Sequence, residues 1–217
     1  SELIAKKTGV MLLPCPWYGS HPYHHWGFPG TLPIRNETHI AMIKDIIRGA
    51  SKAGYNKFIL LSAHGQVPST NCAVHELGLE GYFVVSLHWY DFVRDVLKDI
   101  FKTPMWHADE TETSVALYLF PEYVDMTKAG KEQPDPLVDR RFIGAPGTQL
   151  GGGQFYYFEG TFARPEYKEL KQGIIGDATL ATREKGEKAV KALVERICDV
   201  IEDIKKRYPP GVKPPVK

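Results

Sequence analysis

Phe58-Ile59-Leu60-Leu61-Ser62-Ala63-His64-Gly65 is an apolar run that ends in a serine, an alanine, a histidine and a glycine. Four apolar residues in a row, with no alternation, predict a strand buried on both faces, as in parallel sheets. The polar turn places His64 at the carboxyl end of that strand. In open α/β sheets, ligands bind at those ends. A second segment, Trp106-His107-Ala108-Asp109-Glu110-Thr111-Glu112-Thr113-Ser114, gathers one imidazole and three carboxylates ahead of an apolar helical stretch. A neutral imidazole and a carboxylate brought together suit a divalent zinc or manganese ion. An ion so held makes a nucleophile of water near neutral pH.

Working outward, strand and helix signals alternate. Asn36 is expected to cap a helix running to about Ala53, with Ile40, Ile43, Ile46 and Ile47 on one face and Gly54 as its stop. After the Phe58 strand come a helix around residues 70–80 and a strand from Tyr82 to Leu87. A helix from Trp89 to about Ile100 follows, with Phe92, Val93, Val96 and Leu97 inward. Such alternation implies parallel βαβ units and one α/β domain over residues 1–217, a mostly parallel central sheet flanked by helices. Upstream, a helix ends at Thr8-Gly9, and Val10-Met11-Leu12-Leu13, closed by Pro14, reads as a further buried strand. Residues 14–35 form a loop rich in Pro, Gly, His and aromatics, and loops of that length in a compact domain are usually functional. From Pro121 to Arg164 the periodicity fades. Loops are expected there, with a short antiparallel hairpin at Gln154 to Phe158. The five glycines of Gly144 to Gly153 lack the Lys-Ser/Thr of a phosphate cradle and read as a flexible loop. A long helix from about Ala178 to Tyr208 follows, with Asp177 as its cap and Val190, Leu193, Val194, Ile197, Ile201 and Ile204 at helical spacing. Pro209-Pro210 stops it and leaves an extended tail over residues 209–217.

Bulk composition removes several function classes. Of the 217 residues, 43% are hydrophobic and 24% charged, which is the balance of a folded chain. The net charge is +1 and the one basic run is Lys205-Lys206-Arg207, so nothing resembles a nucleic-acid surface. Cys15, Cys72 and Cys198 form neither a metal spacing nor a disulfide framework, which suits a reducing cytoplasm. No apolar stretch reaches the length of a membrane span, and no signal peptide is visible. The opening on Ser1, inside what reads as the end of a helix, leads us to expect that residues upstream are missing.

Several motifs stand in a recognisable order. They are Gly27-Phe28-Pro29-Gly30-Thr31, then Ser62-Ala63-His64-Gly65, then His107-Ala108 with Glu112-Thr113-Ser114, then Gly173-Ile174-Ile175-Gly176-Asp177-Ala178-Thr179-Leu180-Ala181-Thr182. From Gly9 to the last helix this order resembles the creatininase (creatinine amidohydrolase) family. The resemblance implies a layered α/β fold, a two-metal hydrolytic site holding Zn2+ or Mn2+, and a homo-oligomer, often a hexamer. It implies that His64 and Glu112 are metal ligands. Two departures stand out. The family's upstream Glu-x-His-Gly-x-His segment and later Asp have no counterpart here. Glu37-Thr38-His39, at a helix start, is set aside as a decoy. Gln66 stands where creatininase places a carboxylate, which moves weight away from creatinine itself.

Each candidate also has a bland reading. A histidine after a strand is more often a hydrogen-bonded structural residue, and carboxylates in a helix's first turn are usually solvated. His107 is a surface histidine or a catalytic proton carrier, because imidazole titrates near working pH. Trp17, Trp26 and Trp106 either wall a pocket for a small ring or pack in the core. His21, His24 and His25 form a dense imidazole loop, more often exposed or loop-stabilising than ligating. The reading adopted makes His107 catalytic, His64 and Glu112 metal ligands, and Ser62, Gln66, His25, Trp17 and Trp106 substrate contacts. The expected activity is metal-dependent hydrolysis of a small polar cyclic substrate, a C–N bond in a cyclic amide or amidine. The alternatives are ring opening of a diketo-inositol of the 3-dehydro-scyllo-inosose type, and a non-catalytic, oligomeric binding subunit.

Overall fold

The computed structural model describes residues 1–21, 25–133 and 170–216, and the backbone alone of 143–144 and 155–156. The chain divides into two compact units. The first comprises Ser1–His21, Leu32–Trp89 and Val194–Lys217, and the second Pro22–Thr31 and Tyr90–Leu193.

In the first unit, helix α1 (Glu2–Thr8) ends at Gly9, whose φ of 68° is the left-handed conformation that favours glycine. The strand expected at Val10–Leu13 is absent. These residues have no regular structure, and Met11 is 63% exposed. A strand exists only by pairing, and among the described residues none pairs with this run. Helix α2 (Asn36–Lys52) begins one residue after its cap position, Arg35, so Asn36 opens the helix rather than capping it. Ile43 and Ile47 are buried and Ile40 is half-buried, whereas Ile46 lies off the apolar stripe and is exposed. Strand β1 (Phe58–Ser62) and strand β2 (Val84–His88) pair in parallel, Phe58 opposite Val84 and Ser62 opposite His88. Helix α3 (Val67–Leu79) makes the crossover between them. It starts three residues before the apolar pattern predicts, because Pro68 is well placed in a first turn. Ile43, Ile47, Phe58, Ala73 and Leu77 form the core cluster of this βαβ unit.

The expected helix from Trp89 to Ile100 is broken into α4 (Trp89–Phe92) and α5 (Arg94–Ile100). The break falls at Val93, whose backbone leaves the helical region while its side chain is fully buried. Here core burial overrides helix continuation. Helix α6 (Glu110–Leu119) follows, and then strand β3 (Lys131–Glu132). Strands β4 (Ile143–Gly144) and β5 (Phe155–Tyr156) pair in parallel, not as the antiparallel hairpin expected at Gln154 to Phe158. The rest of that hairpin and the glycine-rich loop over 145–153 lie outside the described residues. Strand β6 (Gly176–Asp177) is antiparallel to β3.

The long helix, α7 (Arg183–Arg207), starts five residues later than expected. Asp177 instead caps a 3-10 turn at Ala178–Leu180, accepting from Thr179 N and Oγ1. Thr182 Oγ1 accepts from Lys185 N and takes the capping role for α7 itself. Val190, Val194, Ile197 and Ile201 are buried, as their spacing predicts. With helices on a parallel strand pair, the fold is α/β.

Candidate active site

In the first unit the chemistry collects where β1 ends. Ser62 is buried and its hydroxyl donates to the His64 carbonyl, which turns the chain sharply after the strand. His64 Nε2 then lies 2.8 Å from His21 Nδ1, with the two rings 4.6 Å apart and inclined at 63°. The loop that carries His21 is tied down by its neighbours. Ser20 Oγ lies 2.6 Å from Ser69 Oγ, and His39 Nδ1 lies 2.8 Å from the same hydroxyl. Gly19 O accepts from Ile34 N, and a Cβ on Gly19 would collide with the Gln66 side chain. Gln66 therefore packs on that loop. His39, set aside as a decoy at the start of α2, is a buried member of this network. Burial, then the nearby His21, holds its imidazole below the ordinary value, so it is neutral near pH 7.

In the second unit the chemistry collects at the start of α6. His107 N donates to Ile175 O at 3.2 Å, and Ile175 N donates to His107 O at 2.8 Å, a short antiparallel bridge that holds the backbone. The next residue, Ala108, has a φ of 48°, a strained value for a residue with a Cβ. That corner aims the Ala108 N–H back at Glu112 Oε2, 2.6 Å away. Asp109 is completely buried. It caps α6, accepting from Thr111 N at 2.9 Å, Glu112 N at 3.0 Å and Trp106 N at 2.8 Å. Burial pushes its carboxyl up to about 7, against the three N–H donors that favour the ionised form. Gly176 passes so close that a Cβ there would lie 2.7 Å from Asp109 Cβ.

Glu110, also completely buried, anchors the same turn. Its carboxylate accepts from Lys185 Nζ, Lys102 N, Thr103 N and Thr103 Oγ1. Four donors around one buried carboxylate make it a structural charge, fully compensated. Glu112 is different. Among the described residues its one hydrogen-bond donor is Ala108 N, and burial raises its carboxyl to about 7. Its neighbour His107, with Nδ1 3.8 Å from Glu112 Oε2, is pushed below the ordinary imidazole value by burial and supplies little compensating charge. A carboxylate in that state is stabilised by a cation. Imidazole nitrogens at a strand end, in the first unit, and a carboxylate of this kind, in the second, are each donors that zinc and manganese take.

The remaining candidates fall out unit by unit. In the second, His25 is buried with its ring 4.8 Å from that of His107, and Trp106 is half-buried. In the first, Trp17 is 96% exposed. His24 lies outside the described residues. Sequence reasoning missed the His21–His64 pair, the buried His39, the Asp109 cap and the Glu110–Lys185 ion pair. One signal was available for Asp109, since Asp ahead of an acidic first turn is an N-cap pattern.

Comparison with known proteins bears on this arrangement. The family model described as "Creatininase: Creatinine amidohydrolase" matches residues 1–201. A 3-dehydro-scyllo-inosose hydrolase of Thermotoga maritima (strain ATCC 43589 / DSM 3109 / JCM 10099 / NBRC 100826 / MSB8) is 34% identical over 225 residues, covering 100% of this chain and 72% of that protein. A creatinine amidohydrolase of Pseudomonas putida is 26% identical over 233 residues, covering 95% of this chain and 78% of that protein. The solved structure "Creatininase Mn" is similar with a TM-score of 0.71 and 25% identity, over 96% of this chain and 80% of that one.

Proposed function

This chain belongs to the creatininase family and is a hydrolase, and we propose that it is a divalent-metal-dependent one that opens a small polar ring. His64 and Glu112 are the proposed ligands for Zn2+ or Mn2+. When bound, such an ion acts as a Lewis acid on a carbonyl oxygen and makes a nucleophile of water near neutral pH. The chain's own residues supply the rest. His107, held neutral by burial, accepts a proton as water adds to the ring carbonyl and returns it to the leaving atom. Asp109 and Glu110 keep the first turn of α6 in place, so that Glu112 and His107 stay 3.8 Å apart. His25, beside His107, and Trp106 are proposed substrate contacts of the second unit, and Ser62, Gln66 and Trp17 of the first.

The preferred substrate class is a cyclic diketone of the inositol type, cleaved at a C–C bond next to a carbonyl. The observation that carries this is the 34% identity to a 3-dehydro-scyllo-inosose hydrolase over the whole chain, against 26% to a creatinine amidohydrolase. Gln66, a neutral amide, also suits a polyol better than a carboxylate would. Hydrolysis of a C–N bond in a creatinine-type ring is the second reading, favoured by the family match over residues 1–201. We further propose a cytoplasmic homo-oligomer, six subunits by the family resemblance. The thiols of Cys15, Cys72 and Cys198 are all free, and among the described residues no helix is long and apolar enough to cross a membrane.

Elemental analysis of full-length His64→Ala and Glu112→Gln proteins, with turnover of 3-dehydro-scyllo-inosose and of creatinine, is the test. Both variants are expected to lose metal. His107→Ala should keep its metal and lose turnover by a factor of about 10² to 10⁴. Undiminished metal in both ligand variants would sink the assignment. A parent rate in His107→Ala would move proton transfer to another residue.

A further inference from the structure

We propose that His21 is also a metal ligand, donating Nδ1 to the same divalent ion as His64 Nε2. The inference rests on the reading of His64 as a ligand and goes beyond it.

The first observation is geometric. Two nitrogens on one tetrahedral zinc, each about 2.0–2.1 Å from the ion, lie about 3.3 Å apart. His21 Nδ1 and His64 Nε2 are 2.8 Å apart, so both reach one ion after the rings part by about half an ångström. The rings meet edge-on at 63° and do not stack, and the two nitrogens face each other across the contact.

The second observation is the investment in holding His21 there. It sits at the end of residues 9–21, which follow α1 and have no regular structure. Left loose, that loop would lose conformational entropy whenever His21 bound anything. Three anchors on consecutive or neighbouring residues remove that loss. Gly19 O accepts from Ile34 N at 3.0 Å, and Gly19 gives up a side chain to receive Gln66. Ser20 Oγ meets Ser69 Oγ at 2.6 Å, and Ser69, 2% exposed, is held in turn by His39 Nδ1 and by the Gln66 carbonyl. Gln66 and Ser69 also belong to the turn that begins α3, directly after His64. The segment that places His64 therefore also places His21. Buried outer-shell networks of this kind orient ligating histidines in metal sites, and their loss typically lowers metal affinity about 10- to 100-fold. His39, Ser69 and Ser20 are then positioning residues that act through His21.

The test uses full-length protein stripped of metal and titrated with Zn2+ against a coloured chelator, with Co2+ as the spectroscopic probe. His21→Gly is expected to bind Zn2+ roughly 100-fold more weakly, the upper end of the effect of losing a supporting residue. Imidazole added to the buffer should recover the affinity, because it fills the ligand position, and the Co2+ visible spectrum should change on His21→Gly and return with imidazole. Parent-like Zn2+ affinity in His21→Gly, with affinity lost in His64→Gly, overturns this proposal and leaves His64 a ligand. Parent-like affinity in both overturns the metal reading as well. Weakened binding that imidazole does not restore, with the Co2+ spectrum of the bound form unchanged, makes His21 a hydrogen-bonded prop for His64 and overturns the ligand assignment.

Discussion

Asp109 ties the start of α6 to the backbone that precedes it. Its carboxylate gathers three backbone N–H groups, from Trp106, Thr111 and Glu112. Without it, α6 loses its cap and the partly buried Trp106 N–H loses this acceptor. Loss of a cap costs about 0.5–2 kcal/mol, and an orphaned buried donor about 1–3 kcal/mol. Asp109→Ala is therefore expected to destabilise the protein by about 1.5–5 kcal/mol, read from denaturant midpoints. A change under about 0.5 kcal/mol would show that water or another group replaces the cap. The strained φ of 48° at Ala108 is part of the same corner, because it lets one N–H turn back onto Glu112. At this scale the sequence was legible as chemistry but not as assignment. Three carboxylates within four residues read alike in the motif. The structure separates them into a cap, a buried ion pair and a carboxylate with one hydrogen-bond donor. All three carry the same functional group, and their surroundings separate them.

Among elements, the short β3 strand shows how little regular structure can hold a loop in place. Glu132 accepts from the backbone N–H groups of Lys171, Gln172 and Ile174, at 2.9, 2.9 and 3.3 Å. Burial works against its charge, but these donors, with that of Gly173, outweigh it and hold the carboxyl below its ordinary value of 4.5. A carboxyl whose folded pKa is depressed contributes stability above its unfolded pKa and loses it as pH falls through the folded one. The parent should therefore exceed Glu132→Gln in stability near neutral pH. The gap should close as pH drops below about 4.5. A gap independent of pH would mean that the interaction is not with the ionised carboxylate. Periodicity located β1, α2, α3, β2 and the apolar face of α7, since each buries one apolar stripe or run. It failed at Val10–Leu13 and at Val93. In both, the apolar residues are real, but a pairing partner or the local core decides what they form.

For the whole molecule, exposed apolar side chains point outward from the described surface. Met11, Leu12, Leu13, Trp17 and Tyr18 are all exposed within one short segment. Exposed apolar residues grouped in one segment are a candidate interaction surface. It accords with the proposed homo-oligomer, so light scattering of the full-length protein should give a multiple of that protein's own chain mass. A monomer in dilute solution would count against it.

By itself the sequence determined the α/β class, the strand that leads to His64, and the motif order that identifies a hydrolase family. These follow from local patterns, because apolar periodicity and short motifs are carried by neighbours in the chain. The tertiary structure alone decided that His21 faces His64, that His39 is buried and neutral, and that Glu110 belongs to Lys185 while Glu112 does not. Those pairings join residues 43 and 75 positions apart. Which carboxylate stays available for chemistry depends on donors brought in from elsewhere in the chain, and no local pattern records where they arrive.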